Sequence, residues 1–149
     1  MEPATAVPWW RVPFTVDTWR RTLYAVLALP LGVVSVLLIA LGRGAAAGRL
    51  QHGLARRLLA VEPRDMPLGR ALVSLPINVV AFVVIGYALV GVVLNLGYPL
   101  RSGGSEADWG GPTLAGRWAV HALGGLLFLY AAGWIGRGFA RLQLRILGR

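Results

Sequence analysis

The chain has 149 residues, 56% of them apolar and only 14% charged, a length that suits one compact unit. A mean hydropathy of +0.64, with the apolar residues gathered into three uncharged blocks, excludes disorder and a water-soluble domain, which would interleave charge at helix or strand period. Fifteen arginines, no lysine, six acids and no cysteine give a formal charge of +9; a disulfide framework, a thiolate nucleophile and a cysteine-ligated metal site are therefore excluded.

Residues 1–21 carry Trp9, Trp10, Phe14 and Trp19 among Pro3, Pro8 and Pro13, which predicts an interfacial segment in the headgroup layer. Residues 22–42 are uncharged and lie between Arg20-Arg21 and Arg43. As a helix they cover about 31 Å, the hydrocarbon thickness of a bilayer, and form the first span. A cleaved signal peptide is disfavoured: the apolar stretch is longer than an h-region, and Arg43 separates it from Ala45-Ala46-Ala47.

Residues 43–68 predict a basic amphipathic arm. Leu50, Leu54, Leu58 and Val61 fall on one stripe, Arg49, His52 and Arg56 on another, and Arg57 adds a further charge. Glu62 and Asp65 flank Pro63 and are expected to end the arm and cap the second span. Residues 71–100 are thirty positions without a charge, a second span with room for tilt or overhang. Residues 101–117 form a glycine-rich external loop in which Glu106 and Asp108 read as solvated.

The third span, 118–136, is bracketed by Trp118 and Trp134, about 24 Å apart by helical rise, as in an interfacial aromatic belt. Residues 137–149 predict a second basic amphipathic helix, with Arg137, Arg141 and Arg145 recurring every fourth residue and Phe139, Leu142 and Ile146 on another face. Both arms are expected to rest on the inner membrane surface, each arginine drawn to anionic lipid by about 1 kcal/mol. No groove-reading or base-stacking motif accompanies the charge, so nucleic acid is not an expected partner.

The expected fold is an all-α integral membrane protein of three transmembrane helices and two basic amphipathic interfacial helices, in a cell (plasma) membrane. Ten arginines lie in 43–70 and the tail, five elsewhere; positive-inside bias makes the richer side cytoplasmic and the N-terminus external. That leaves Arg20-Arg21 outside. A re-entrant hairpin at Pro30-Leu31-Gly32 would place thirteen arginines inside against two, but at the cost of unpaired backbone in lipid. The full crossing is preferred.

The arms echo each other. Both open with Gly-Arg-Gly, at Gly42-Arg43-Gly44 and Gly136-Arg137-Gly138, and both carry Arg-Leu-Gln, at Arg49-Leu50-Gln51 and Arg141-Leu142-Gln143. Upstream, Leu29-Pro30 with Val33-Val34 matches Leu75-Pro76 with Val79-Val80. The pattern suggests a duplicated unit, a Leu-Pro span leading to a basic arm, with an extra loop and span inside the second copy.

PFTVDTWRRTLYAVLALPLG, the LARRLL arm, the second Leu-Pro span and the closing GRGFARLQLRILG resemble the sensor-domain family of actinobacterial membrane proteins over nearly the whole chain. The resemblance implies a membrane module that often precedes a cytoplasmic histidine kinase and sometimes stands alone. It names no catalytic residue. Members usually carry four spans, one more than is read here, and the chain ends at Arg149, so a kinase is expected as a separate polypeptide.

All six acids lie outside the apolar blocks, and His52 and His121 lack a second ligand at helical spacing; no catalytic set, metal site or cofactor is expected. His121, near the outer end of the third span, is a candidate sensor of external pH, with a neutral imidazole bonded to a neighbouring helix near Gly125 as the preferred reading. Asn78 and Asn95 are expected to act as interhelical glue, and Ala132 with Gly136 as a close-packing face. Arg49, Arg56, Arg57, Arg137, Arg141 and Arg145 are the candidate lipid or coupling contacts. The expected function is a non-catalytic sensor or regulatory module with a kinase, a transporter subunit or a second copy as partner; an accessory subunit of a membrane complex is the alternative.

Overall fold

Thr15 opens the first long helix. Its backbone is extended and its hydroxyl accepts from the Thr18 N–H at 3.3 Å, which satisfies one of the free amides of the first turn. In the computed structural model, which describes residues 7–60, 68–101 and 109–146, a 3-10 turn at Trp9–Phe14 leads into helix α1, Val16–Ala40. α1 passes through Pro30 unbroken. The reversal comes twelve residues later, where Gly42 adopts φ +73°, a conformation that costs glycine nothing. The re-entrant hairpin at Pro30-Leu31-Gly32 is therefore not formed.

Helix α2, Gly44–Leu59, does not stand apart as the surface arm expected. It folds back along α1 from the turn at Gly42 past Ser35 as far as Tyr24. Gln51 Nε2 donates to Ser35 Oγ at 2.9 Å, and Ala55 packs with Tyr24 and with Ala140 of the last helix. Its small residues Ala47 and Ala55 are buried, so α2 approaches closely enough to pack as a short fourth helix.

α3 runs Leu68–Leu96 and closes with a 3-10 turn at Tyr98–Leu100; α4 runs Leu114–Ile146. At 33 residues α4 is about 50 Å long. The basic tail, expected as a separate interfacial helix, is thus the last turns of α4. No proline interrupts these residues, and Gly133 and Gly136 are held helical by contact with α1 rather than freed to bend. Glu62, Pro63, Asp65, Glu106 and Asp108 lie outside the described residues.

Three helices, α1, α3 over Leu72–Leu96 and α4, are long and apolar enough to cross a membrane. Only 22–28% of their most apolar windows is buried inside the protein, so most of that surface requires lipid or another apolar partner. The register of the three helices is unexpected. α3 and α4 are antiparallel: Leu96 lies against Gly125, Gly91 against Phe128, and Asn78 bonds to Gln143. α1 runs parallel to α4 but starts half-way along it. Pro13 and Thr18 meet Gly133, Thr22 meets Gly136, and Asn78 links Ala28 to Gln143.

The apolar stretch of α1 consequently lies beside the basic end of α4. The first and third apolar blocks meet end to end, and the thirty-residue second block runs along both. The three long apolar helices are arranged in two tiers. The lower tier holds α1, α2, the first half of α3 and the basic end of α4; the upper holds the rest of the α3–α4 hairpin. The aromatic N-terminal turn, expected at one end of a span, sits at the junction, with Phe14 6.5 Å from the Tyr130 ring.

A methyl placed on Gly136 would come within 2.8 Å of Thr22 Cα, whereas one on Gly138 would meet nothing within 4 Å. Gly136→Val is expected to destabilise the protein in detergent by about 1–3 kcal/mol through overpacking. Gly138→Ala is expected to stabilise it by up to about 1 kcal/mol through helix propensity. Loss of ellipticity on titration with a denaturing detergent measures both.

Candidate functional site

The junction between the tiers carries the polar chemistry. Thr18 is fully buried; its hydroxyl donates to the Val12 carbonyl at 2.6 Å and accepts from Arg137 Nη1 at 3.0 Å. The same Arg137 nitrogen donates to Asp17 Oδ2 at 2.7 Å. Arg21, one turn along α1, donates through Nε to both oxygens of Asp17, at 3.0 and 2.9 Å. One carboxylate is thus shared by two guanidinium groups, one from its own helix and one from α4. Arg20-Arg21, which charge counting leaves stranded before the first span, enters this cluster through Arg21.

Eighteen residues separate Asn78 from Leu96, and eighteen separate Gln143 from Gly125, so α3 and α4 advance in step through the contacts that join them. Arg137, six residues before Gln143, therefore stands at the height of Val84, the midpoint of the apolar window Leu72–Leu96. The ion pair sits half-way up the longest apolar tract. Charges at such depth face protein or a water-filled cavity, and they mark functional positions more often than packing. Arg137 Nε is buried without a hydrogen-bond partner among the described residues, so the guanidinium retains donor capacity beyond its bonds to Asp17 and Thr18.

Below this layer Asn78, buried, ties three helices together. Its Nδ2 donates to the Ala28 carbonyl of α1 at 3.2 Å and its Oδ1 accepts from Gln143 Nε2 at 2.8 Å. Gln143 Oε1 is buried and unpartnered among the described residues. Asn95 acts within its own helix, donating to the Gly91 carbonyl at 2.8 Å while its side chain covers Gly124.

His121 lies at the far end of the hairpin. Its ring stacks on Tyr98 with centroids 4.0 Å apart. Its Nδ1 lies 2.9 Å from the Arg117 carbonyl; because a carbonyl only accepts, Nδ1 carries the proton of that bond. The partner is thus its own helix, not a neighbouring one near Gly125, where Leu96 and Asn95 fill the space. Trp118 Nε1 donates to the Leu96 carbonyl at 3.1 Å, closing the same end.

Arg49, Arg56 and Arg57 are exposed on α2, and Arg141 and Arg145 on the last turns of α4. Ala55 and Ala140 share one apolar cluster, so both basic segments belong to the lower tier. Among the described residues no three His, Cys, Asp or Glu side chains come together.

Asp17, Thr18 and Gln143 are the residues that sequence reasoning missed. Asp17 precedes Arg21 by four residues, a local ion-pair signal, but nothing in the sequence connects it to Arg137. No protein-family profile, curated protein or solved structure matches this chain.

A double-mutant cycle with Asp17→Asn and Arg137→Gln is expected to give a coupling of about 1 kcal/mol in detergent unfolding. The parallel cycle of Asp17→Asn with Arg21→Gln should give about 0.3–0.5 kcal/mol, the range of an exposed pair one turn apart. Asn78→Leu, which strips partners from a buried amide and a buried carbonyl, is expected to cost about 1–2 kcal/mol.

Proposed function

We propose that this protein is a non-catalytic membrane module that senses or regulates, passing a displacement of its spans to a cytoplasmic or membrane partner through the basic ends of α2 and α4. The observation that carries the reading is the tether on α4: a single unbroken helix from Leu114 to Ile146, held to α1 by the Gly133–Gly136 contact and the Asp17–Arg137 pair. A helix of this length moves as a unit. A shift at its Leu114 end would be delivered to Arg141 and Arg145, and breaking the ion pair would supply the second arrangement that such a shift could bias.

The resemblance to the sensor-domain family supports the same reading and suggests a histidine kinase as partner. In the plasma membrane, arginine bias would place the lower tier on the cytoplasmic side. An accessory subunit of a transporter or other membrane complex is the second reading. It is favoured by the largely uncovered apolar flanks, including Val79, Val83, Leu123 and Leu127.

Arg141→Glu combined with Arg145→Glu is expected to abolish partner association in mild-detergent purification from the native host, with membrane insertion unchanged. Identification of the proteins that co-elute with the unaltered chain, a kinase or a transporter subunit, separates the two readings. Undiminished association and response in the doubly substituted protein would overturn the coupling role.

A further inference from the structure

One face of α2 carries a groove, and the fold-back of α2 onto α1 extends it by bringing Leu31 of α1 to its edge. Its polar limb, a cavity of about 320 Å³, is lined by Arg49, His52, Gly53, Arg56 and Arg57. Its apolar limb, about 260 Å³, shares Arg49, Gly53 and Arg57 and adds Leu31, Leu50 and Leu54. Gly53 forms the floor common to both, and a methyl built on it meets nothing within 4 Å. His52 Nε2 is buried and has no hydrogen-bond partner among the described residues. Asp17, the one acid among the described residues, is engaged by Arg21 and Arg137.

We propose that this groove is a binding site for a single anionic phospholipid, with the phosphodiester held by Arg49, Arg57 and His52 and the first acyl segment laid along Leu31, Leu50 and Leu54. The basic limb matches a phosphate in charge and in donor geometry, since guanidinium forks bond phosphate oxygens in pairs. The unpartnered His52 Nε2, when it carries the ring proton, donates one further bond to a phosphate oxygen. The apolar limb selects the source: a free phosphate has nothing to place against three leucines, whereas a phospholipid fills both limbs at once. Leu31 belongs to the apolar stretch of α1, so the groove opens where lipid is at hand. Diffuse attraction of arginines to an anionic surface needs no groove. The site therefore adds a specific ligand to the lower tier, independently of whether α4 transmits a signal.

The test uses the full chain in neutral detergent micelles, with dioleoylphosphatidylglycerol as probe and retained lipid counted by native mass spectrometry. One bound phosphatidylglycerol is expected, with phosphatidylcholine at least about tenfold weaker. Arg49→Gln with Arg57→Gln should weaken binding by about tenfold or more, as expected for two arginines at an anionic headgroup. Arg141→Gln with Arg145→Gln removes the same charge elsewhere and should leave binding within about twofold. Gly53→Leu keeps every charge, improves helix propensity and fills the groove; it should weaken binding about as much as the first pair. Equal losses from the two arginine pairs, unchanged binding in Gly53→Leu, equal retention of phosphatidylcholine, or displacement of phosphatidylglycerol by millimolar inorganic phosphate would each overturn the site.

Discussion

The close approach of α1 to α4 sets the rest of the structure. Gly133 and Gly136 present bare backbone one turn apart, and Pro13, Thr18 and Thr22 fill the notch. Only at that separation does Arg137 reach both Asp17 and the Thr18 hydroxyl. An unpaired arginine near the centre of an apolar tract costs about 2.5–3.5 kcal/mol on insertion scales. The pairing offsets part of that cost and fixes the helices axially, because Asp17 stands at one height on α1. Apolar packing alone would let two smooth helices slide; an ion pair with a half-exposed carboxylate and a shared, buried hydroxyl does not.

The two-tier arrangement is a consequence of this offset. Once Thr22 is level with Gly136, the apolar stretch of α1 must continue past the point where that of α4 has given way to arginines. α3 is the element that accommodates both, and its long uncharged block gains a reason: its first half packs against α1, and from Asn78 to Leu96 it runs along α4. α2 then covers the part of α1 that α4 leaves open. Tyr24, Ala55 and Ala140 mark the place where these three helices meet. The basic segments of α2 and α4 are joined through that apolar cluster beside Tyr24 of α1.

The helices are legible in the sequence because absence of charge over twenty or more residues is a composition signal, independent of neighbours. Helix ends are readable where a local device exists, as at Thr15 or Gly42. Axial register is not, since valine and leucine repeat along each block with nothing to distinguish one offset from another. Arg137 illustrates the limit. Its four-residue spacing with Arg141 and Arg145 makes it look like one of three surface arginines, yet its partner lies 120 residues away. Polarity within an apolar block singles out Asn78, while the amide that bonds to it, Gln143, is hidden within a segment whose composition assigns it to the membrane surface.

Gln143 also gives the internal echo a physical meaning. In the first copy Gln51, from Arg-Leu-Gln, donates to Ser35 on the Leu-Pro helix α1; in the second Gln143, from the same tripeptide, donates to Asn78 on the Leu-Pro helix α3. In each copy the basic arm lies antiparallel to its own Leu-Pro helix and is fastened by that glutamine. The copies differ in the connection between span and arm. Gly42 makes a tight reversal in the first, so α2 stays short and local. In the second, a loop and an added apolar helical stretch intervene, and the arm becomes the end of a helix that begins at the opposite end of the hairpin. The same fastening therefore holds a short local helix in one copy and the end of a long helix in the other. The contact with Asp17 at Arg137, inside the Gly-Arg-Gly that opens the second arm, is where that helix passes from the upper tier to the lower.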